Sequence, residues 1–249
     1  MHPPGICAIL LRMENNTENE KDSRTRLLIG DEALSRLHDS HILLLGLGGV
    51  GSYVCEALCR AGVGRLSLVD SDMVEESNLN RQLYALRSTI GMPKTEAARS
   101  RCLDIAPDIS IAAYRRFLEA SDIPDLFSEV TASMGPVDHV IDAIDTVSVK
   151  IELAAYCYER DIPLISCCGT GNKLHPELFR IADIYSTSVC PLCRVMRREL
   201  HKRSVPGLTV CYSTEIPKKT GTRTPASISF VPSAAGLLIA SYVINKIIR

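Results

Sequence analysis

Four glycines, Gly46, Gly48, Gly49 and Gly51, fall within six residues, directly after the apolar run His41-Ile-Leu-Leu-Leu45 and before a helix-forming stretch. In that context the chemistry on offer is anion binding. Gly46 permits a tight turn, Gly48 lets backbone approach a phosphate, and Gly51 lets strand and helix pack closely. The helix that follows presents unpaired N–H groups to the anion. Asp70 stands nineteen residues beyond Gly51, at the end of a second apolar run, where a carboxylate accepts ribose hydroxyl hydrogen bonds.

Taken alone, this spacing suits a nicotinamide dinucleotide. Two cations beyond Asp70 and Asp72 point elsewhere: Arg81, inside Ser-Asn78-Leu-Asn80-Arg81-Gln82, and Lys94, after Gly91-Met-Pro93. A triphosphate carries more charge than a pyrophosphate diester, and its transferring phosphate needs cationic clamps. Downstream, Val140-Ile-Asp142-Ala-Ile-Asp145 ends an apolar strand in two carboxylates, at the edge where such sheets bind ligands. One or two carboxylates plus phosphate oxygens suit Mg²⁺. Asp142 reads equally as a ligand or as a turn cap.

The elements that must position these groups alternate. Strands are expected at 41–45, 65–70, 109–114, 139–142 and 163–166, and helices at 50–62, 94–105 and 147–160. The second half is less regular, with strands at 207–213 and 227–231 and a nearly all-apolar helix at 234–248. Alternation around a glycine-rich first turn implies a doubly wound, mainly parallel α/β sheet of Rossmann type. Residues 1–21 are expected to form a flexible tail, with Met13 a rival start, and 22–249 a single domain.

Composition narrows the functions. The 249 residues are 46% hydrophobic with a net charge of −1, so any nucleic-acid contact must come from a local basic patch. The chain is too long for its ten cysteines to read as a disulfide scaffold, and no secretory signal or membrane-length apolar run is evident. A reducing cytoplasm, with no membrane association, is the expected setting.

The motifs GxGGxG, DxDxVxxSNLNRQ, PK and DAID together resemble the adenylating domain of the ubiquitin-activating superfamily. That resemblance implies ATP as cofactor, with Asp70 on the ribose and Arg81 and Lys94 on the phosphates. It also implies Asn78, Asn80 and Gln82 around the nucleotide and Asp145 on Mg²⁺. An N-terminal arginine, here Arg24 with Arg26 as a rival, is implied to reach across a homodimer to the partner's ATP.

Members that activate sulfur carriers bind structural zinc through two Cys-x-x-Cys pairs. This chain has one, Cys190–Cys193, so no structural zinc is expected. A low-pKa cysteine in that pair could serve as nucleophile or redox sensor; an incidental thiol is the plainer reading. The segments 169–174, 181–192, 210–213 and 227–233 resemble instead the tRNA threonylcarbamoyladenosine dehydratases. The implied activity is ATP-dependent cyclisation, through an acyl-adenylate, of that modified adenosine beside the anticodon of tRNA, with a cysteine desulfurase as a sulfur-relay partner. Residues 194–203 carry Arg194, Arg197, Arg198, Lys202 and Arg203 against one acid, and Lys218, Lys219 and Arg223 follow. At helical spacing Arg194, Arg198 and Lys202 share a face suited to phosphates, while Val195, Met196 and Leu200 are expected to turn inward. Rival readings are adenylation of a sulfur carrier's C-terminal Gly-Gly, nicotinamide-dependent oxidoreduction, and a nucleotide-binding adaptor without catalysis.

Overall fold

The computed structural model describes residues 20–222 and 224–249; most of the expected tail, Met13 and Arg223 lie outside them. The described residues build α1 (Ser23–Ile29), α2 (Asp31–Asp39), β1 (His41–Leu45), α3 (Gly51–Ala61), β2 (Arg65–Val69), α4 (Lys94–Ile105), β3 (Ser110–Tyr114) and α5 (Ile123–Met134). They continue with β4 (His139–Asp142), α6 (Val147–Glu159), β5 (Leu164–Cys167), β6 (Phe179–Asp183), α7 (Pro191–Lys202), β7 (Thr209–Ser213) and α8 (Phe230–Ile247).

One seven-stranded sheet runs in the order β3-β2-β1-β4-β5-β7-β6. Every pairing is parallel except β6 with β7. All five residues of β1 are buried, as an uninterrupted apolar strand with helices on both faces must be. Each such Leu or Ile contributes about 1.5–3 kcal/mol relative to exposure. Strand order reverses between β1 and β4. The helices that follow these two strands, α3 and α6, pack on opposite faces of the sheet, which marks the carboxyl edge here as the topological switch point.

The doubly wound α/β fold is thus as expected, with differences at the edges. Residues 227–229 form no strand and α8 begins at Phe230, because Pro232 falls in its first turn, where a missing N–H costs nothing. The helix has the length and apolarity of a membrane span, yet it lies against α3: a Cβ on Gly236 would sit 2.5 Å from the Val50 carbonyl oxygen. Strand β6 escaped sequence reading because an edge strand of five residues with Arg180 outward carries little periodic signal.

Candidate functional site

The glycine turn connects β1 to α3 at the switch point, and its tightness is steric. Gly46 adopts φ 89°, and a Cβ there would lie 2.6 Å from the Ala143 carbonyl oxygen. A Cβ on Gly51 would lie 1.8 Å from the Gly46 carbonyl oxygen. Neither site admits a side chain, so the turn after β1 and the turn after β4 are pressed together. Gly48 faces Gln82, whose amide nitrogen is 3.9 Å from the place a Cβ would occupy. Gly49 is flanked by Pro232 and by the stem of Arg81, each within 3.4 Å of such a Cβ.

Asp70 follows β2 directly. One carboxylate oxygen accepts the Leu47 N–H at 2.7 Å and the other the Asp72 N–H at 2.8 Å. Burial raises its pKa above the usual carboxylate value, opposed by the Lys94 charge and by those two N–H groups. The fixed carboxylate keeps further lone pairs for a hydroxyl-bearing ligand. Asp72 pairs with Lys94 at 2.7 Å, and that bond lowers the Asp72 pKa. The two side chains differ in setting: Lys94 is only 7% exposed and Asp72 63%. The ammonium at the start of α4 is therefore held by a solvated acid that a more highly charged anion can displace.

The segment between them is a scaffold. Asn78 is buried, and its side-chain oxygen accepts the Glu75 N–H at 3.3 Å, closing the short 3₁₀ turn Glu76–Asn78. Asn80 donates to the Ser227 carbonyl at 3.1 Å and accepts from Arg81 at 2.8 Å. Arg81 also donates to the Ser77 carbonyl at 2.9 Å, while the stem of its side chain packs beside Gly49. The structure thus gathers Gly46, Gly48, Gly49, Gly51, Asp70, Asp72, Arg81, Gln82 and Lys94 around one crevice, with Asn78 and Asn80 bracing it.

The two carboxylates after β4 part company. Asp142, expected against the cofactor, is wholly buried beneath the turn. Its oxygens take up Lys150 Nζ at 2.8 Å, Ser166 Oγ at 2.5 Å and the Ile144 N–H at 3.3 Å. Asp145 is exposed, directly after the turn packed on Gly46. A single solvated carboxylate next to the glycine turn fits Mg²⁺, which retains several waters and takes the rest of its oxygens from substrate. Among the described residues no three His, Cys, Asp or Glu side chains are arranged to hold a metal by themselves.

Sequence reading missed a cavity of about 580 Å³ that opens beside Thr146 and Ser148 and is walled by Phe117 and Leu118. Its walls come from the segment after β3 and from the start of α6, which meet although β2 and β1 lie between β3 and β4 in the sheet. Its mixed walls suit a flat base.

Other expected residues fall outside the crevice. Arg24 is exposed on α1, two residues beyond Asp22, which meets His38 near the amino end of β1. Within one chain it is therefore at the edge opposite Asp145. Arg26 is engaged with Asp31 at 3.0 Å. On α7 and at its C-cap, Arg194, Arg198, Lys202 and Arg203 are exposed, while Met196 and Leu200 are buried. Arg198, Lys202 and Arg203 all meet Glu199, at 2.9, 3.0 and 3.7 Å. Two expectations for this helix fail. Arg197 turns back to donate to Thr187 and to the Ile184 carbonyl, and Val195 is exposed because the apolar stripe runs through Cys193, Met196 and Leu200.

Comparison with known proteins agrees with this geometry. A Bacillus subtilis protein named tRNA threonylcarbamoyladenosine dehydratase is 40% identical over 245 residues, covering 91% of this chain and 94% of the relative. An Escherichia coli molybdopterin-synthase adenylyltransferase is 39% identical over a shorter stretch, 60% of this chain and 55% of the relative. The crystal structure of the Escherichia coli tRNA N6-threonylcarbamoyladenosine dehydratase in complex with ATP superposes with a TM-score of 0.85 at 30% identity, over 94% of this chain and 96% of that one. Residues 23–249 match the ThiF family, and the chain belongs to it.

Proposed function

We propose that this chain is an ATP-dependent tRNA threonylcarbamoyladenosine dehydratase. It activates the threonyl carboxylate of the modified adenosine as an acyl-adenylate and closes the ring. The observation that carries the reading is the buried Lys94 ammonium, held 2.7 Å from Asp72 beside the fixed Asp70 carboxylate, across the glycine turn from Asp145. A cation and a carboxylate on either side of a phosphate-binding turn suit a metal-bound triphosphate; a nicotinamide site has no need of either.

A carboxylate is a poor electrophile because its leaving group would be oxide, and adenylation makes AMP the leaving group. In this reading Asp70 orients the ribose, and the cavity beside Phe117 and Thr146 takes the base. Arg81 and Lys94 neutralise charge that develops as the carboxylate oxygen attacks the α-phosphorus and pyrophosphate departs. Asp145 would hold Mg²⁺, which when bound supplies further neutralisation at the phosphate oxygens. The ureido nitrogen of the same nucleoside then attacks the activated carbonyl, AMP leaves, and one water is lost overall. Nucleophile and electrophile share one molecule, so positioning suffices and no protein nucleophile is required.

Three further elements belong to this reading. The exposed face of α7 with Arg194, Arg198, Lys202 and Arg203 holds tRNA phosphates without reading bases. Two copies associate so that Arg24 of one reaches the triphosphate of the other; Leu27 and Leu28, 88% and 85% exposed beside it, support an interface there. The site of action is the cytoplasm, with a cysteine desulfurase as sulfur-relay partner.

Exchange of radiolabelled pyrophosphate into ATP tests the reading. Exchange that requires tRNA bearing threonylcarbamoyladenosine is the expected result. Exchange supported by a sulfur-carrier protein ending in Gly-Gly would favour the rival.

A further inference from the structure

Three lysines are buried among the described residues: Lys94, Lys150 and Lys173. A buried ammonium is costly unless an acid or a set of hydrogen bonds compensates it. Lys94 meets Asp72 at 2.7 Å, and Lys150 meets Asp142 at 2.8 Å. Lys173 is only 4% exposed, yet among the described residues its ammonium makes no ion pair and no hydrogen bond. The nearby Glu215 spends both of its oxygens elsewhere. They accept the Leu174 N–H at 2.9 and 3.1 Å and the His175 N–H at 2.9 Å.

The chain fixes Lys173 from both sides. Asn172 adopts φ 60°, a left-handed conformation that Asn tolerates. Its side-chain oxygen accepts the Ala226 N–H at 2.7 Å, and its own N–H donates to the Ala226 carbonyl at 2.7 Å. Its carbonyl accepts the Lys218 N–H at 2.8 Å. A Cβ on Gly171 would sit 2.7 Å from the Pro225 side chain, so this loop and the segment before α8 are pressed together. On the other side of Lys173, the Glu215 carboxylate takes the next two N–H groups. This clamp extends to the nucleotide crevice, because the Ser227 carbonyl accepts from Asn80, whose side chain also takes a hydrogen bond from Arg81.

Sheet order sets the side of the crevice on which this cation lies. Along the carboxyl edge, β2 leads to Asp70, β1 to the glycine turn and β4 to Asp145, and the next strand is β5. Asp142 pairs with Ser166, so β4 and β5 end side by side, and Lys173 stands six residues beyond Cys167, the last residue of β5. The ribose acid occupies the β2 side of the glycine turn, which leaves the β5 side for the second reactant. That reactant is an anion, and it must approach another, the triphosphate. Arg81 and Lys94 serve the phosphates; a cation on the opposite side offsets the charge of the incoming group. We infer, on the reading of the reaction given above, that the Lys173 ammonium binds the carboxylate of the acyl substrate and orients it toward the α-phosphate. Lys173 is thereby a substrate-binding residue that distinguishes tRNA carrying this carboxylate from tRNA without it.

Binding without turnover tests the assignment. The full-length protein, saturated with Mg²⁺ and α,β-methylene ATP, is titrated with tRNA bearing threonylcarbamoyladenosine and with the same tRNA after conversion of the threonyl carboxylate to its amide. The wild type should prefer the carboxylate form about tenfold, as one charge-assisted hydrogen bond allows. Lys173→Met removes the ammonium at nearly constant volume. It should bring that ratio close to one and leave affinity for α,β-methylene ATP alone within about twofold. Its urea midpoint should stay at or above that of the wild type, since no partner is stranded. A preference retained in Lys173→Met would overturn the assignment, and so would a tenfold loss of analogue affinity without tRNA, which would place the ammonium on phosphate. A wild type that binds both tRNAs equally would overturn the carboxylate as substrate, and the role of Lys173 with it. Should Lys173→Met fail to fold, Lys173→Ala decides by the same ratio.

Discussion

Lys150 Nζ lies 2.8 Å from Asp142 Oδ1, and both side chains are wholly buried. The same ammonium donates to the Ile144 carbonyl at 3.1 Å, so this pair pins the turn from which Asp145 emerges. Burial lowers the Lys150 pKa, but attraction to Asp142 and the bond to it outweigh that, and the net shift is upward. Lys150→Met strands a buried carboxylate and should cost about 3–5 kcal/mol in urea unfolding. The double variant with Asp142→Asn should recover much of that loss. A single-variant cost below about 1 kcal/mol would mean that the pair does not hold the turn.

Asp145 and Lys94 separate function from stability. Asp145 is exposed, so Asp145→Ala should change unfolding free energy by less than about 0.5 kcal/mol. Its pyrophosphate exchange should nevertheless fall by about 10²–10³-fold, the typical cost of removing one group that stabilises developing charge. Lys94→Met should lose activity to a similar degree and release Asp72 from its ion pair. Full exchange in both variants would remove them from the site.

The basic helix divides by salt dependence. Arg194 and Arg198 point to solvent, so replacing either with Ala should lower the slope of log affinity for tRNA against log salt by about 1. Arg197 is bound to Thr187 instead; Arg197→Ala should leave that slope unchanged and cost about 1–3 kcal/mol of stability. Equal slopes for all three variants and the wild type would move the tRNA footprint elsewhere.

Two histidines give stability a pH dependence. Burial lowers the pKa of His41 and of His139, so the folded chain binds fewer protons there than the unfolded chain. Their contribution is present above the unfolded value of about 6.5 and is lost as pH falls below it toward the folded values. Unfolding free energy should therefore decline from pH 8 to pH 5.5. A flat or rising profile would show that the two imidazoles are already solvated.

Legibility in the sequence followed local constraint. Gly46 and Gly51 were readable because a turn between strand and helix leaves no room for a Cβ, and sequence spacing alone reveals that. Asp70 stood out by its offset from Gly51, whereas the roles expected of Lys94 and Asp145 came from the resemblance to the adenylating superfamily. Asp142 was not readable, since its partners Lys150 and Ser166 come from α6 and β5, and only the β4–β5 pairing sets them beside it. Phe117 and Thr146 were hidden because the segment after β3 reaches past two strands to the start of α6, which no local spacing reveals. Arg197 and Val195 were misplaced because helical spacing names a face without saying which way the helix rolls against its neighbours.

The most direct measurement is mass spectrometry of nucleosides from threonylcarbamoyladenosine-containing tRNA incubated with this protein, ATP and Mg²⁺. The account predicts conversion of that nucleoside to a form lighter by one water, dependent on ATP and absent with Asp145→Ala. An unchanged nucleoside, in a preparation that still adenylates a sulfur-carrier protein, would contradict it.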